Sequence, residues 1–159
     1  MRVLRARPGD AVELFNGQGH AWRGTIASLS RNEVQVAIAE ARFEPRSTPP
    51  LTLAQAWLHR DKLLDELVRH ATVLGVDRIR FYRADHSEKI PHIAGKWERL
   101  AVEACKQCGR LWLPDLEVAG ALADVLDSAA DELMVMACME GPHQPLSTLQ
   151  SERPVTFIV

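Results

Sequence analysis

Residues 44–50 read Glu-Pro-Arg-Ser-Thr-Pro-Pro, and this segment divides the chain. Three prolines in seven residues cannot sit inside a helix or a central strand, because each fixes φ and removes a backbone donor. What lies before the segment and what lies after it must therefore form separate units. The charge balance shifts at the same place. Residues 1–46 hold seven arginines and five acids, net +2, whereas residues 47–159 hold 12 basic and 16 acidic groups, net −4. The expected domains are 1–46 and 47–159.

The first unit reads as β structure. Ala11–Phe15 is followed by Asn16-Gly17, a dipeptide suited to a tight hairpin because both positions tolerate positive φ. Ala21–Leu29 is the returning strand, Arg31-Asn32-Glu33 is a polar break, and 34–38 alternates in polarity as a half-buried strand does. This predicts a small meander or barrel. The second unit alternates strand and helix. Strands are expected at 51–58, 76–82, 112–118, 132–139 and 154–159, and helices at about 62–74, 93–108 and 121–129. Leu64, Leu67, Val68, Ala71 and Leu74 recur at helical spacing before Gly75, and Gly109 closes the second helix. Such alternation predicts an α/β fold with a mostly parallel sheet.

With 47% hydrophobic and 25% charged residues, the 159-residue chain is too apolar for a disordered tail. A net charge of −2 excludes a polybasic protein but not a local basic patch. No run approaches a membrane span, and the N-terminus has no apolar signal segment. Three cysteines make a disulfide framework an unlikely design, which points to the reducing cytoplasm.

Few residues suggest chemistry by themselves. Arg2, Arg5 and Arg7 precede the first acid, Asp10, with Arg23 beyond it. The planar guanidinium suits phosphate, so these four are candidates for RNA binding; a solvated edge explains them equally well. Cys105-Lys106-Gln107-Cys108 lacks the second ligand pair that zinc requires, and it sits at the end of a helix rather than the start where redox CxxC pairs lie. Plain packing is the reading preferred there. None of the six histidines makes a metal pattern, and no phosphate-binding or hydrolase motif is present.

Several stretches together resemble one family. Val3-Leu4-Arg5, Pro8-Gly9-Asp10 and Glu13–Gly17 are similar to its opening. Arg60 and Leu74-Gly75-Val76 follow in order. Trp97–Arg110, with Ala104-Cys105-Lys106-Gln107-Cys108-Gly109-Arg110, is the most specific stretch, and Cys138-Met139-Glu140 and Pro154–Val159 complete a collinear match. These residues resemble the 16S rRNA uracil-N3 methyltransferases, the RsmE family of knotted, SPOUT-class enzymes. The resemblance implies a PUA-like RNA-holding β-barrel followed by the first part of a SPOUT-type parallel α/β domain, with the C-terminal knot expected beyond Val159. It also implies S-adenosylmethionine as cofactor, 16S rRNA of the small ribosomal subunit as partner, and a homodimer built largely around the knot. Arg60, Gln107 and Arg110 become the catalytic candidates, and Met139 and Glu140 the cofactor-binding ones. For Gln107 and Arg110 a helix C-cap role stays open. Within the resemblance, His70 stands where the family usually has Lys, Val73 where it has Glu, and His86 where it has Arg. Two readings follow: a member whose parent methylates rRNA but which is inactive at this length, or a non-catalytic RNA-binding or interaction module on the same scaffold.

Overall fold

The computed structural model describes residues 6–87, 90–138, 141 and 144–159. They form two compact units, Met1–Pro45 and Arg46–Val159.

The first unit is an antiparallel meander in the order β1 (Ala11–Phe15), β2 (His20–Leu29) and β3 (Val34–Phe43). The connection between β1 and β2 is longer than the two-residue turn expected at Asn16-Gly17. Gly17 and Gly19 take φ of 73° and 86°, and no described residue other than glycine takes positive φ. Asn16 contributes its side chain instead: Oδ1 accepts from the Gln18 and His20 amides at 2.8 and 3.2 Å. The third strand runs five residues past the expected 34–38. Cross-strand charge supports the extension, because Glu13 on β1 pairs with Arg23 on β2 and Arg42 on β3. Gly24 permits the close approach of β2 and β3, since a Cβ there would meet the Ala37 carbonyl oxygen at 2.2 Å.

The second unit holds five strands, all parallel, in the order β6-β5-β4-β8-β7. In chain order they are β4 (Leu51–Ala56), α1 (Asp61–Val73), β5 (Arg78–Arg83), α2 (Trp97–Cys108), β6 (Asp115–Ala121), α3 (Leu122–Ser128), β7 (Leu133–Met136) and β8 (Val155–Ile158), with one 3₁₀ turn at Leu146–Thr148. The first face of the sheet packs Ile79 and Phe81 against Leu64 and Val68 of α1 and Trp97 and Ala101 of α2. The second packs Ala54, Tyr82, Ala119 and Ile158 against Val125 of α3. Alternation along each strand sends neighbours to opposite faces. Gly75 and Gly109, at φ of 88° and 76°, stop α1 and α2 where the sequence placed the stops.

Most boundaries of the second unit lie within two residues of expectation, and three elements differ by more. Helix α2 begins at Trp97, not 93, after a turn in which the Trp97 amide donates to the Ala94 carbonyl. Strand β6 covers 115–121 rather than 112–118, because Pro114 has no amide to pair and the ladder starts at Asp115. Strand β7 ends at Met136 rather than 139. Among the described residues, no helix is long and apolar enough to cross a membrane.

Candidate functional site at the carboxyl edge of the parallel sheet

The strand order reverses between β4 and β8. The chain steps from β4 outward to β5 and β6, then returns on the other side through β7 and β8. Connections leaving two such strands diverge, so an open parallel sheet presents its binding crevice at their carboxyl ends.

The loop after β4 is pinned by its backbone. The Trp57 amide donates to the Tyr82 carbonyl at 2.9 Å, and Ser87 Oγ donates to the Trp57 carbonyl at 3.3 Å. The end of β8 is fixed from two sides, because the Val159 carbonyl accepts from the Ala56 amide at 2.8 Å and from Tyr82 Oη at 3.2 Å. Burial raises the Tyr82 phenol above its ordinary range, so it donates as a neutral group. The Trp57 ring is 6% exposed and sits 5.7 Å from Phe81, 6.0 Å from Trp97 and 5.0 Å from the exposed His92 imidazole. Its Nε1 is buried and has no hydrogen-bond partner among the described residues. A buried donor left unpaired costs about 1–3 kcal/mol.

Arg60 lies three residues on. Its extended backbone caps α1, and its carbonyl accepts from the Leu63 and Leu64 amides at 3.0 and 3.5 Å. The exposed guanidinium makes no ion pair among the described residues. It stands at the positive end of the helix dipole, where an anion is the favoured neighbour.

The structure does not bring Arg60 together with Gln107 and Arg110. Those two lie where α2 has run back to the amino edge of the sheet. Arg110 Nη2 donates to Asp77 Oδ1 at 2.7 Å, while Nη1 donates to the Val76 and Thr72 carbonyls at 2.6 and 3.3 Å, beside the last turn of α1. Arg60 caps the first turn of that same 13-residue helix, about 20 Å away at 1.5 Å per residue. Asp77 is also held by the Leu51 amide at 3.0 Å and faces Arg46 Nε at 3.6 Å. Gln107 is exposed.

Of the four RNA-binding candidates, Arg2 and Arg5 lie outside the described residues, as do Met139 and Glu140. Arg7 is exposed, and its amide donates to Asp10 Oδ2 at 2.8 Å. Arg23 is ion-paired to Glu13 at 2.6 Å, and hydrogen bonds from Arg23 and Arg42 hold that carboxyl below its ordinary value. In the CxxC, burial pushes the Cys105 thiol up to about 11, while Cys108 is exposed. Among the described residues, no three His, Cys, Asp or Glu side chains gather as a metal site. Sequence reasoning missed Trp57, Tyr82 and Ser87. The one available signal was their position at the ends of predicted parallel strands.

Residues 45–159 match the model of an RNA methyltransferase domain, and residues 1–39 that of an RNA methyltransferase PUA domain. The chain is 27% identical to ribosomal RNA small subunit methyltransferase E of Synechocystis over 149 residues, 91% of this chain and 48% of the relative. It is 32% identical to the Rickettsia conorii protein of the same name over 135 residues, 78% of this chain and 50% of that one. It thus spans about half the length of the curated relatives it matches. Two crystal structures share the fold across 99% of this chain and 68% of theirs. One is a probable rRNA methyltransferase from Porphyromonas gingivalis, at TM-score 0.87 and 23% identity. The other is ribosomal RNA small subunit methyltransferase E from Neisseria gonorrhoeae bound to S-adenosyl methionine, at TM-score 0.80 and 22% identity.

Proposed function

The chain belongs to the RNA methyltransferase family, and from that premise we propose that it serves cytoplasmic, S-adenosylmethionine-dependent methylation of uridine N3 in 16S rRNA of the small ribosomal subunit. The observation that carries the assignment to a place is the carboxyl edge between β4 and β8. There Arg60, without an ion pair among the described residues, and Trp57, whose buried indole N–H has no partner among them, follow β4, one of the two strands at which the order reverses. The meander of residues 1–46 is the RNA-holding unit in this reading, with Arg7 a phosphate contact and Arg2 and Arg5 assigned the same role by resemblance.

The residues present fit the cofactor in one respect. The orphan Trp57 donor calls for an acceptor atom, and Arg60 calls for an anion, which a ligand with a carboxylate or carbonyl oxygen supplies. When bound, S-adenosylmethionine supplies a methyl group on a sulfonium. Uracil N3 must give up its proton before its lone pair can attack, which leaves negative charge on the ring carbonyls. In this reading Arg60, a catalytic candidate by resemblance, is the cation that stabilises that charge. Ser87 and Tyr82 hold the loops that place it. Met139 and Glu140 are assigned to the cofactor edge by resemblance. Arg110 contributes in this reading as a positioning residue through Asp77, and Gln107, exposed beside it at the end of α2, remains a candidate by resemblance.

The test is calorimetric titration of S-adenosylmethionine into the 159-residue chain, with and without a uridine-containing RNA oligonucleotide. Saturable heat that is lost in Arg60→Ala is the expected result. RNA binding with no cofactor heat in either arm would overturn the enzymatic reading and leave an RNA-binding module.

A further inference from the structure

We propose that the carboxyl ends of β5 and β6 form a pocket for a guanine base of the RNA, read by Asp85 and Arg83. The inference rests on the reading that this chain binds RNA, and goes beyond it in naming the base and the residues. A cavity of about 560 Å³ opens there, a size that suits a small planar ligand. Arg83, Asp85, Ile90, Pro91, Val118 and Gly120 are among the residues that line it. At about 4.8 Å per strand, the space between β5 and β6 lies about 7 Å from β4. One RNA strand can therefore reach both this pocket and the crevice beyond β4.

A bulge makes the pocket. Phe81 pairs with Val118 and Arg83 with Ala121, so two steps along β5 oppose three along β6. The extra residue bends β6 out of the regular ladder, and bulges re-aim side chains beside binding sites. Ala119, Gly120 and Ala121 offer at most a methyl group each, so this stretch of β6 leaves the space unfilled. Gly120 cannot be enlarged, because a Cβ there would run into the Asp124 carboxylate, which accepts from the Ala121 amide at 2.6 Å. Ile90 and Val118 are 76% and 45% exposed, which leaves apolar surface for the face of a flat ring.

The two charges select the ring. Arg83 and Asp85 are both exposed, and among the described residues neither has an ion pair or a side-chain hydrogen bond. A carboxylate only accepts, so Asp85 requires a ligand edge with adjacent N–H donors. Among the RNA bases, guanine alone presents two on one edge, N1–H and the amino group. Uracil flanks its single N–H with carbonyls, and adenine and cytosine set an amino group beside an acceptor nitrogen. A guanidinium only donates, and O6 and N7 on the other edge of guanine accept its two parallel bonds. The pair of opposite charges thus matches both edges of one base, whereas every other base offers Asp85 one donor at most. Single-stranded RNA presents such a base unstacked. A free guanine nucleotide carries the same ring, and the experiment separates the two sources.

Titration of guanosine monophosphate into the isotope-labelled chain, up to about 10 mM and read by amide chemical shifts, tests this. The expected shifts are confined to residues 83–85, 90 and 118–121. Inosine monophosphate keeps O6 and N7 but lacks the amino group, and should bind about tenfold more weakly. Asp85→Asn should weaken guanine about tenfold and admit xanthosine monophosphate, which carries a carbonyl where guanine has the amino group. Both charged side chains are exposed, so thermal melts of the variants should match wild type. An oligoribonucleotide with one guanine among uridines should bind at least about tenfold tighter than the mononucleotide, and about tenfold tighter than the same strand with adenine in its place. Shifts that gather around Arg60 instead, shifts that do not separate guanine from adenine or inosine, or no shift at all overturn the proposal. A mononucleotide that binds as tightly as the strand also overturns it, because the occupant is then a free nucleotide. Guanine-specific shifts without cofactor heat would strike the function proposed above and leave the pocket standing; cofactor heat with unselective RNA binding would strike only the pocket.

Discussion

At the amino edge of the parallel sheet, the charged groups around Asp77 are ion-paired, although Arg46 Nε, 3.6 Å from its carboxylate, is a buried donor without a hydrogen bond among the described residues. Arg110 and Arg46 face its carboxylate, and Arg46 also meets Asp115 at 2.9 Å. At the carboxyl edge, Arg60 has no ion pair among the described residues and Trp57 has a donor with nothing to give it to. The two edges use similar residue types for opposite ends. A guanidinium whose hydrogens already reach carbonyls and a buried carboxylate is part of the scaffold. One that is exposed and makes no ion pair among the described residues is available to a ligand. The distinction is measurable, because scaffold residues govern unfolding and available residues govern binding.

The largest expected effect is at the engaged edge. Asp77→Ala strands Arg110, whose side chain is 13% exposed, and should cost about 3–5 kcal/mol in chemical denaturation. A loss below about 1 kcal/mol would show that the amino edge is not the anchor described here. Next comes Asp65, where burial raises the carboxyl but the hydrogen bonds from Lys96 and Trp97 prevail and lower it below 3.8. Asp65→Ala should cost about 2 kcal/mol at neutral pH by leaving the Trp97 N–H unpaired. The wild-type advantage is present above the unfolded value and is lost as pH falls through the lowered folded one. Urea midpoints of both proteins between neutral and acid pH should converge accordingly.

A smaller effect runs the other way in pH. The Cys105 thiol is raised from 9.0 to about 11, so the folded state keeps its proton where the unfolded chain loses it. Stability from this source is complete below 9 and falls as pH rises toward about 11. Cys105→Ala should flatten that alkaline slope, and a slope identical to wild type would contradict the burial described. The smallest changes in folding belong to the open edge. Arg60→Ala should shift unfolding by no more than about 0.5–1 kcal/mol, while removing the cofactor heat proposed above. If that variant unfolds the protein, the contrast between the edges fails.

Much of this fold is legible in local sequence. Proline density, glycine stops after periodic leucines and alternating β-branched runs each act within a few residues, and spacing reports them. Asn16-Gly17 shows the limit, for the turn there is set by an asparagine side chain reaching two and four residues ahead. The site was less legible. Arg110 sits at a helix end and suits a C-cap role, yet its carbonyls belong to the preceding helix region and its carboxylate lies 33 residues upstream. Spacing cannot report a pairing made by the sheet. Trp57 reads as one more apolar residue at a strand end. Only packing shows that its ring is buried and its N–H is not used.

The strand order has a consequence for how the molecule comes to be built. Strand β8, the last of the described strands, occupies an interior position, and among the described residues β7 pairs with β8 alone. On a ribosome, β4, β5 and β6 with their helices can assemble while the remainder is still being made. Strand β7 emerges without a docking place. It must wait with Leu133 and Val135 uncovered until β8 threads in beside β4, about 100 residues distant in sequence. The late, non-local closure of that gap is the step at which this chain is most exposed to aggregation.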